Sequence, residues 1–133
     1  MNSNKKYAIL FFLIIIIIIT LMNYHNAPKK RLLIKEDMQM VIGKIEVVSM
    51  SYRGGVLIYY SFIDKNHIYK NQKTLSLYSG TRGFFLNKSF PVVFSSKSPE
   101  INQMLILPKD FERYNMQYPD SLLWVKKLLD KSW

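Results

Sequence analysis

The sequence predicts a mainly β protein: a small antiparallel five-stranded barrel or sandwich, preceded by an N-terminal transmembrane helix and closed by a C-terminal amphipathic helix. Three observations carry this expectation. Residues 7–22 form an uncharged apolar run. From residue 40 onward, β-branched and aromatic runs alternate with turns containing Gly, Asn and Asp. The C-terminal stretch then returns to helical spacing, with Leu122, Val125, Leu128 and Leu129 on one stripe.

The chain of 133 residues has room for one modest core once the apolar segment is set aside. The expected organisation is a basic tail over 1–6, a transmembrane helix over 7–24, a basic juxtamembrane linker over 25–39 and a single β-rich domain over 40–133. The net charge of +10 is unevenly placed. Residues 1–35 hold six basic residues and no acid, whereas residues 36–133 hold thirteen basic residues against nine acids. Charge clustered beside a hydrophobic segment fits anionic lipid headgroups, which attract each such residue by roughly 1 kcal/mol. The bilayer is therefore the expected partner, alongside an unidentified protein partner, and nucleic acid is not expected. There is no cysteine, so disulfides, thiolate catalysis and Cys-based zinc sites are excluded. With only His25 and His67 to supply imidazole, no metal or other cofactor is expected.

The N-terminal run reads YAILFFLIIIIIITLM, sixteen residues. As a helix it covers about 24 Å of a hydrocarbon core that is roughly 30 Å thick. Asn23 and Tyr24 can extend it, and Tyr7 and Tyr24 fall where aromatic rings favour the two interfaces. The expected membrane-interface residues are Lys5, Lys6, Tyr7, Tyr24, Lys29, Lys30, Arg31 and Lys35. The competing reading is a cleaved signal peptide. Cleavage needs small residues before the cut, yet Asn26-Ala27 has His25 at the third position back and Pro28 after it, so the segment is expected to be retained. Orientation is contested: the larger basic count after the run favours the cytoplasm for that side, whereas a short Lys tail before an apolar run is how export signals begin. The expectation taken forward is a single-pass anchor in the inner cell membrane with the C-terminal domain extracytoplasmic.

In the water-facing part, residues 41–52 alternate in their middle and Gly54-Gly55 offers a hairpin turn. Residues 56–63 are apolar on both faces and read as a central strand. Asp64-Lys65-Asn66-His67 supplies a second turn into a strand over 68–77, completing a meander. Residues 78–90 read as a loop with one helical turn. A fourth strand over 91–95 begins at Pro91, where the missing N–H does least harm. A turn at Lys97-Ser98-Pro99-Glu100 leads to a fifth strand over 103–107. A short helix or turn follows over 108–114, and Pro119-Asp120-Ser121 is a helix-start signal with a side-chain oxygen available to cap it.

Two stretches resemble a broad group of small bacterial membrane-anchored β-domain proteins of unknown function. The first pattern, Tyr-x-Phe, a turn, then Tyr, is similar to Tyr60-Ser61-Phe62, the 64–67 turn and Tyr69, with Asn66 standing where glycine is usual. The second, Val-x-Tyr-x-Pro-x-Asn-Pro, is similar to 92–99, with Phe94, Ser96 and Ser98 departing from it. The resemblance spans at most residues 41–107 and implies a fold rather than an activity.

No residue set adds up to a reaction. Asp64 and His67 are close only because both sit in a predicted turn. Asp110 and Glu112 point apart on a helix and read as a solvated face. The aromatics Tyr59, Tyr60, Phe62, Tyr69, Phe84, Phe85, Phe90 and Phe94 are either the filling of a small barrel or a stacking platform for single-stranded nucleic acid, and the modest charge of the domain favours filling. Trp124 reads as a packing residue, while nothing in the sequence explains Trp133. The expected function is that of a non-enzymatic, membrane-anchored protein that binds a partner protein or serves an envelope role, an immunity-type protein being one version. The alternative is a nucleic-acid-binding small barrel tethered to the membrane.

Overall fold

The computed structural model describes residues 3–131, without the side chains of 3–5 and 23–27. The chain divides into two units, Met1–Leu33 and Ile34–Trp133.

The first unit is the body of α1 (Ser3–Glu36). Leu, Ile and Phe dominate its N-terminal half, and the helix runs on through Pro28, whose ring removes one i to i−4 hydrogen bond. The linker expected over 25–39 is thus helical up to Glu36. Its Lys-Lys-Arg-Leu-Leu run consists of good helix formers, and Lys35 in the last turn complements the negative C-terminal end. Among the described residues, no helix is long and apolar enough to cross a membrane. The expected span over 7–24 also takes in Asn23 and Tyr24, whose side chains lie outside the described residues. The described uncharged run of sixteen residues covers about 24 Å.

The second unit is one five-stranded antiparallel sheet in the order β3-β2-β1-β4-β5, curled into a half-barrel, so the sandwich alternative is excluded. Its strands are β1 (Met38–Met50), β2 (Val56–Asp64), β3 (His67–Leu75), β4 (Ser89–Ser95) and β5 (Asn102–Met104). The expected meander is present, and β4 returns to pair with the first half of β1, Met38 opposite Ser95 through Lys44 opposite Ser89. A bulge between Ile45 and Val47 lets β1 bend from β4 toward β2.

Strand bounds differ from expectation where turn chemistry decides them. β1 ends at Met50 because residues 51–55 form the turn, with Gly54 at a φ of 84° and its N–H donating to the Ser51 carbonyl at 2.9 Å. Lys65 and Asn66 both have positive φ, 46° and 66°, as a two-residue hairpin with right-handed twist requires. Pro91 lies inside β4 rather than at its start. It is tolerated opposite Ile42 because β5 pairs only with Val92, Val93 and Phe94. β2 is not apolar in a uniform way: Val56, Ile58, Tyr60 and Phe62 are buried, whereas Tyr59 and Ile63 face solvent.

The buried apolar residues form one cluster from Ile34 to Val125, all within the second unit. Gly43 leaves no room for a side chain in β1, where an added Cβ would lie 2.6 Å from Val92 Cγ2. A 3₁₀ turn, Ser79–Phe84, lies against β1 and β2. The next residue, Phe85, is buried against Phe90 and Trp124, so Trp124 is the packing residue it was expected to be. α2 (Pro108–Glu112) follows β5. A 3₁₀ turn, Asp120–Leu122, then leads into α3 (Leu123–Asp130), with Leu122 and Val125 buried and Leu128 and Leu129 half-buried. The expected side-chain cap at 119–121 is not made; the first turn is instead tightened by the Leu122 N–H donating to the Pro119 carbonyl at 3.0 Å. Trp133 lies outside the described residues.

Candidate functional site

Two features stand out for the chemistry of their surroundings: an apolar band on α1 and a polar clasp in the half-barrel. The large apolar side chains of α1 from Tyr7 to Met22 are all between 37% and 70% exposed. They surround the helix rather than forming a stripe. The Thr20 hydroxyl donates back to the Ile16 carbonyl, so this polar side chain is satisfied within the helix. Of the expected interface residues, Lys6, Tyr7, Lys29, Lys30, Arg31 and Lys35 are exposed on α1, and the side chains of Lys5 and Tyr24 lie outside the described residues. The geometry brings together no catalytic group among them.

The clasp joins the two outer strands of the sheet, and the sequence reading missed it. Tyr60, inside the curl, donates to Asn102 Oδ1 at 2.9 Å, and its oxygen accepts the Met104 N–H at 3.2 Å. Asn71 on β3 donates to the same Asn102 oxygen at 3.0 Å. Lys73, two residues on, donates to the Met104 carbonyl at 3.1 Å and pairs with Asp110 at 2.7 Å. Asp110 also accepts the N–H groups of Ile106 at 3.1 Å and Leu107 at 2.9 Å, and Gln103 Nε2 at 3.3 Å. Tyr114 closes the network by donating to Gln103 Oε1 at 3.0 Å. The strands that fail to pair through their backbones are thus held by side chains.

Asp110 is only 3% exposed. The expectation of a solvated face over Asp110 and Glu112 is therefore corrected: Glu112 is exposed, but Asp110 turns inward to cap the start of α2. Burial pushes the Lys73 ammonium below the ordinary lysine value, against the pull of the Asp110 carboxylate. Burial likewise raises the Tyr60 phenol well above its ordinary value. Tyr118, which donates to the Ile106 and Leu122 carbonyls, is pushed up to about 12 by desolvation and by Asp110. The Asp110 carboxylate accepts from two backbone N–H groups and Gln103 while facing the Lys73 ammonium, so it ties β3, β5 and α2 together.

At the head of β1, Asp37 accepts the Ser96 hydroxyl at 2.9 Å and the Lys97 N–H at 3.0 Å. Partial desolvation works to raise its pKa, but hydrogen bonds from Ser95, Ser96 and Lys97 outweigh it, so the carboxyl lies below its ordinary value. Asp64 and His67 face one another across the two-residue turn, with His67 Nδ1 3.2 Å from the Lys65 carbonyl oxygen. Of the eight aromatics noted in the sequence, Tyr60, Phe62, Phe85, Phe90 and Phe94 are buried and Tyr69 is half-buried, stacking on Phe62 with centroids 5.3 Å apart. Most of the set therefore fills the core, and only Tyr59 and Phe84 are exposed. Among the described residues, no group of three His, Cys, Asp or Glu side chains is arranged to hold a metal ion.

No protein family, curated protein or solved structure matches this chain.

Proposed function

We propose that the chain is a non-enzymatic, membrane-tethered module: the apolar band of α1 sits in a lipid bilayer, and the half-barrel presents its surface to a protein partner outside the cytoplasm. The observation that carries this reading is the unpartnered apolar surface around α1 between Tyr7 and Met22. In water such a surface is a liability, and its usual cover is lipid or another protein. The run holds twelve Leu, Ile and Phe residues, and at about 0.3–0.6 kcal/mol each they favour insertion by roughly 4–7 kcal/mol. Lysines on both sides of the run, and Arg31 after it, add headgroup attraction. The shortfall in length is of a kind that local bilayer thinning or snorkelling of flanking lysines absorbs, at a fraction of a kcal/mol per Å. Placement of the body outside the cytoplasm rests on Lys5 and Lys6 directly before the run.

The test is extraction of cell membranes with alkaline carbonate, followed by protease treatment of intact cells whose outer barrier is permeabilised. The reading expects the chain to stay with the membrane pellet and its body to be digested. Release into the supernatant overturns the tether, and a pelleted but fully protected body overturns the orientation.

A further inference from the structure

The half-barrel end that carries the β1–β2 turn and the loop after β3 has a composition that its core does not use. Tyr52 is fully exposed at the turn, beside Arg53. Tyr78 is 67% exposed, and its ring lies against Gly80, so close that a Cβ at that position would collide with it. Arg82 and Phe84, on the 3₁₀ turn that follows, are exposed as well. An open groove of about 630 Å³ separates the two loops, lined by 51–55 on one side and 74–77 on the other. Neither loop contains an acid, for no Asp or Glu occurs between Glu46 and Asp64 or between Asp64 and Glu100. Arg53 and Arg82 form no ion pair among the described residues.

We infer that this end of the half-barrel is the docking surface for an acidic protein segment, with Tyr52 and Arg53 lining the groove, Tyr78 following its last lining residue, Leu77, and Arg53 and Arg82 receiving carboxylates. The inference deepens the tethered-module reading and rests on it for the partner being a protein. Tyr and Arg are the residues that carry binding energy at protein interfaces. The planar guanidinium fork suits bidentate carboxylate recognition. Nucleic-acid affinity is carried by many phosphate contacts, and these two loops supply two arginines.

The experiment uses the full chain in lipid nanodiscs and three probes: a short peptide of alternating Glu and Leu, the same peptide with Gln for Glu, and a thymidine oligonucleotide. The expected result is that the Glu peptide binds, more weakly at higher salt, and that the Gln peptide and the oligonucleotide do not. Tyr78→Ala and Arg82→Ala should each weaken binding by about tenfold, while Lys126→Ala on α3 leaves it unchanged. Equal binding of the Glu and Gln peptides, stronger binding of the oligonucleotide, no peptide binding, or indifference to both loop substitutions would overturn the inference. Retention of the chain in the nanodisc fraction is scored separately, so loss of the tether and loss of the docking surface are read independently.

Discussion

Replacing Asp110 with alanine removes the acceptor on which the clasp converges. Five groups lose this acceptor: the Ile106 and Leu107 N–H groups, Gln103 Nε2, the exposed Arg113 guanidinium at 3.6 Å and the Lys73 ammonium, which keeps only the Met104 carbonyl. Each buried donor left unmatched costs about 1–3 kcal/mol, and removing one partner of a buried ion pair costs about 3–5 kcal/mol. These overlap, since Lys73 and the two amides share one carboxylate, and partial hydration of Lys73 at 14% exposure relieves part of the loss. The expected destabilisation is about 3–5 kcal/mol, a large share of the roughly 5–10 kcal/mol available to a body of this size. It should lower Tm by on the order of 15–30 °C. Asp110→Asn keeps an oxygen for the two amides but removes the charge, and should cost about half as much. Adding Lys73→Met to Asp110→Asn discards the stranded ammonium and should recover stability relative to Asp110→Asn alone, because an apolar pair of similar volume tolerates burial better than one unmatched charge. The assay is thermal and urea unfolding in mild detergent, followed by far-ultraviolet circular dichroism. A loss below about 1 kcal/mol for Asp110→Ala, or a double variant less stable than Asp110→Asn, would refute the reasoning that this cluster closes the half-barrel.

Alkaline unfolding should report the two raised tyrosines. Their folded pKa values exceed the unfolded value of 10.0, reaching about 12 for Tyr118, so the stability they contribute is complete below pH 10 and is lost as pH rises from there. Tyr60→Phe and Tyr118→Phe should each flatten the fall in urea midpoint over that range, and unchanged slopes would contradict it. At the β2–β3 turn, Asn66→Gly should stabilise by up to about 1 kcal/mol, since φ there is 66°; a lower Tm would count against the turn assignment. Gly43→Ala should destabilise by about 1–3 kcal/mol through collision with Val92, measured by the same unfolding curves. In α1, Ile16→Arg places a charge mid-band at a cost of about 3 kcal/mol, so the fraction of chain recovered with membranes should fall, and full retention would show that the band is not what holds it.

The features legible in the sequence are those set by neighbours along the chain. Gly54 and the Lys65-Asn66 pair announced their turns because backbone conformation at those positions is decided locally. The stripe through Leu122 and Val125 showed through its 3.6-residue period. The return of β4 to β1 was not legible, because Met38 and Ser95 meet only through tertiary pairing. The clasp was hidden for a related reason: Asn71 and Lys73 occupy inward positions of β3, where polar side chains read as an outer face until their partners on β5 and α2 are in place. One local signal was available. Asp110, two residues after Pro108, is placed to accept the Leu107 N–H at the start of a helix, which argues against a solvated role. The continuation of α1 through Pro28 was obscured by the usual meaning of proline as a stop, whereas the Lys-Lys-Arg-Leu-Leu run beyond it favours helix.

The chain contains no cysteine, so a single fluorescent probe can be placed cleanly at Ile16→Cys within the apolar band and, in a second sample, at Tyr52→Cys on the β1–β2 turn. Reconstituted into vesicles, the Ile16 probe should be quenched by lipid-borne nitroxides and protected from aqueous iodide, with the Tyr52 probe showing the reverse. If iodide reached both probes equally, α1 would not lie in lipid and the tethered reading would fall.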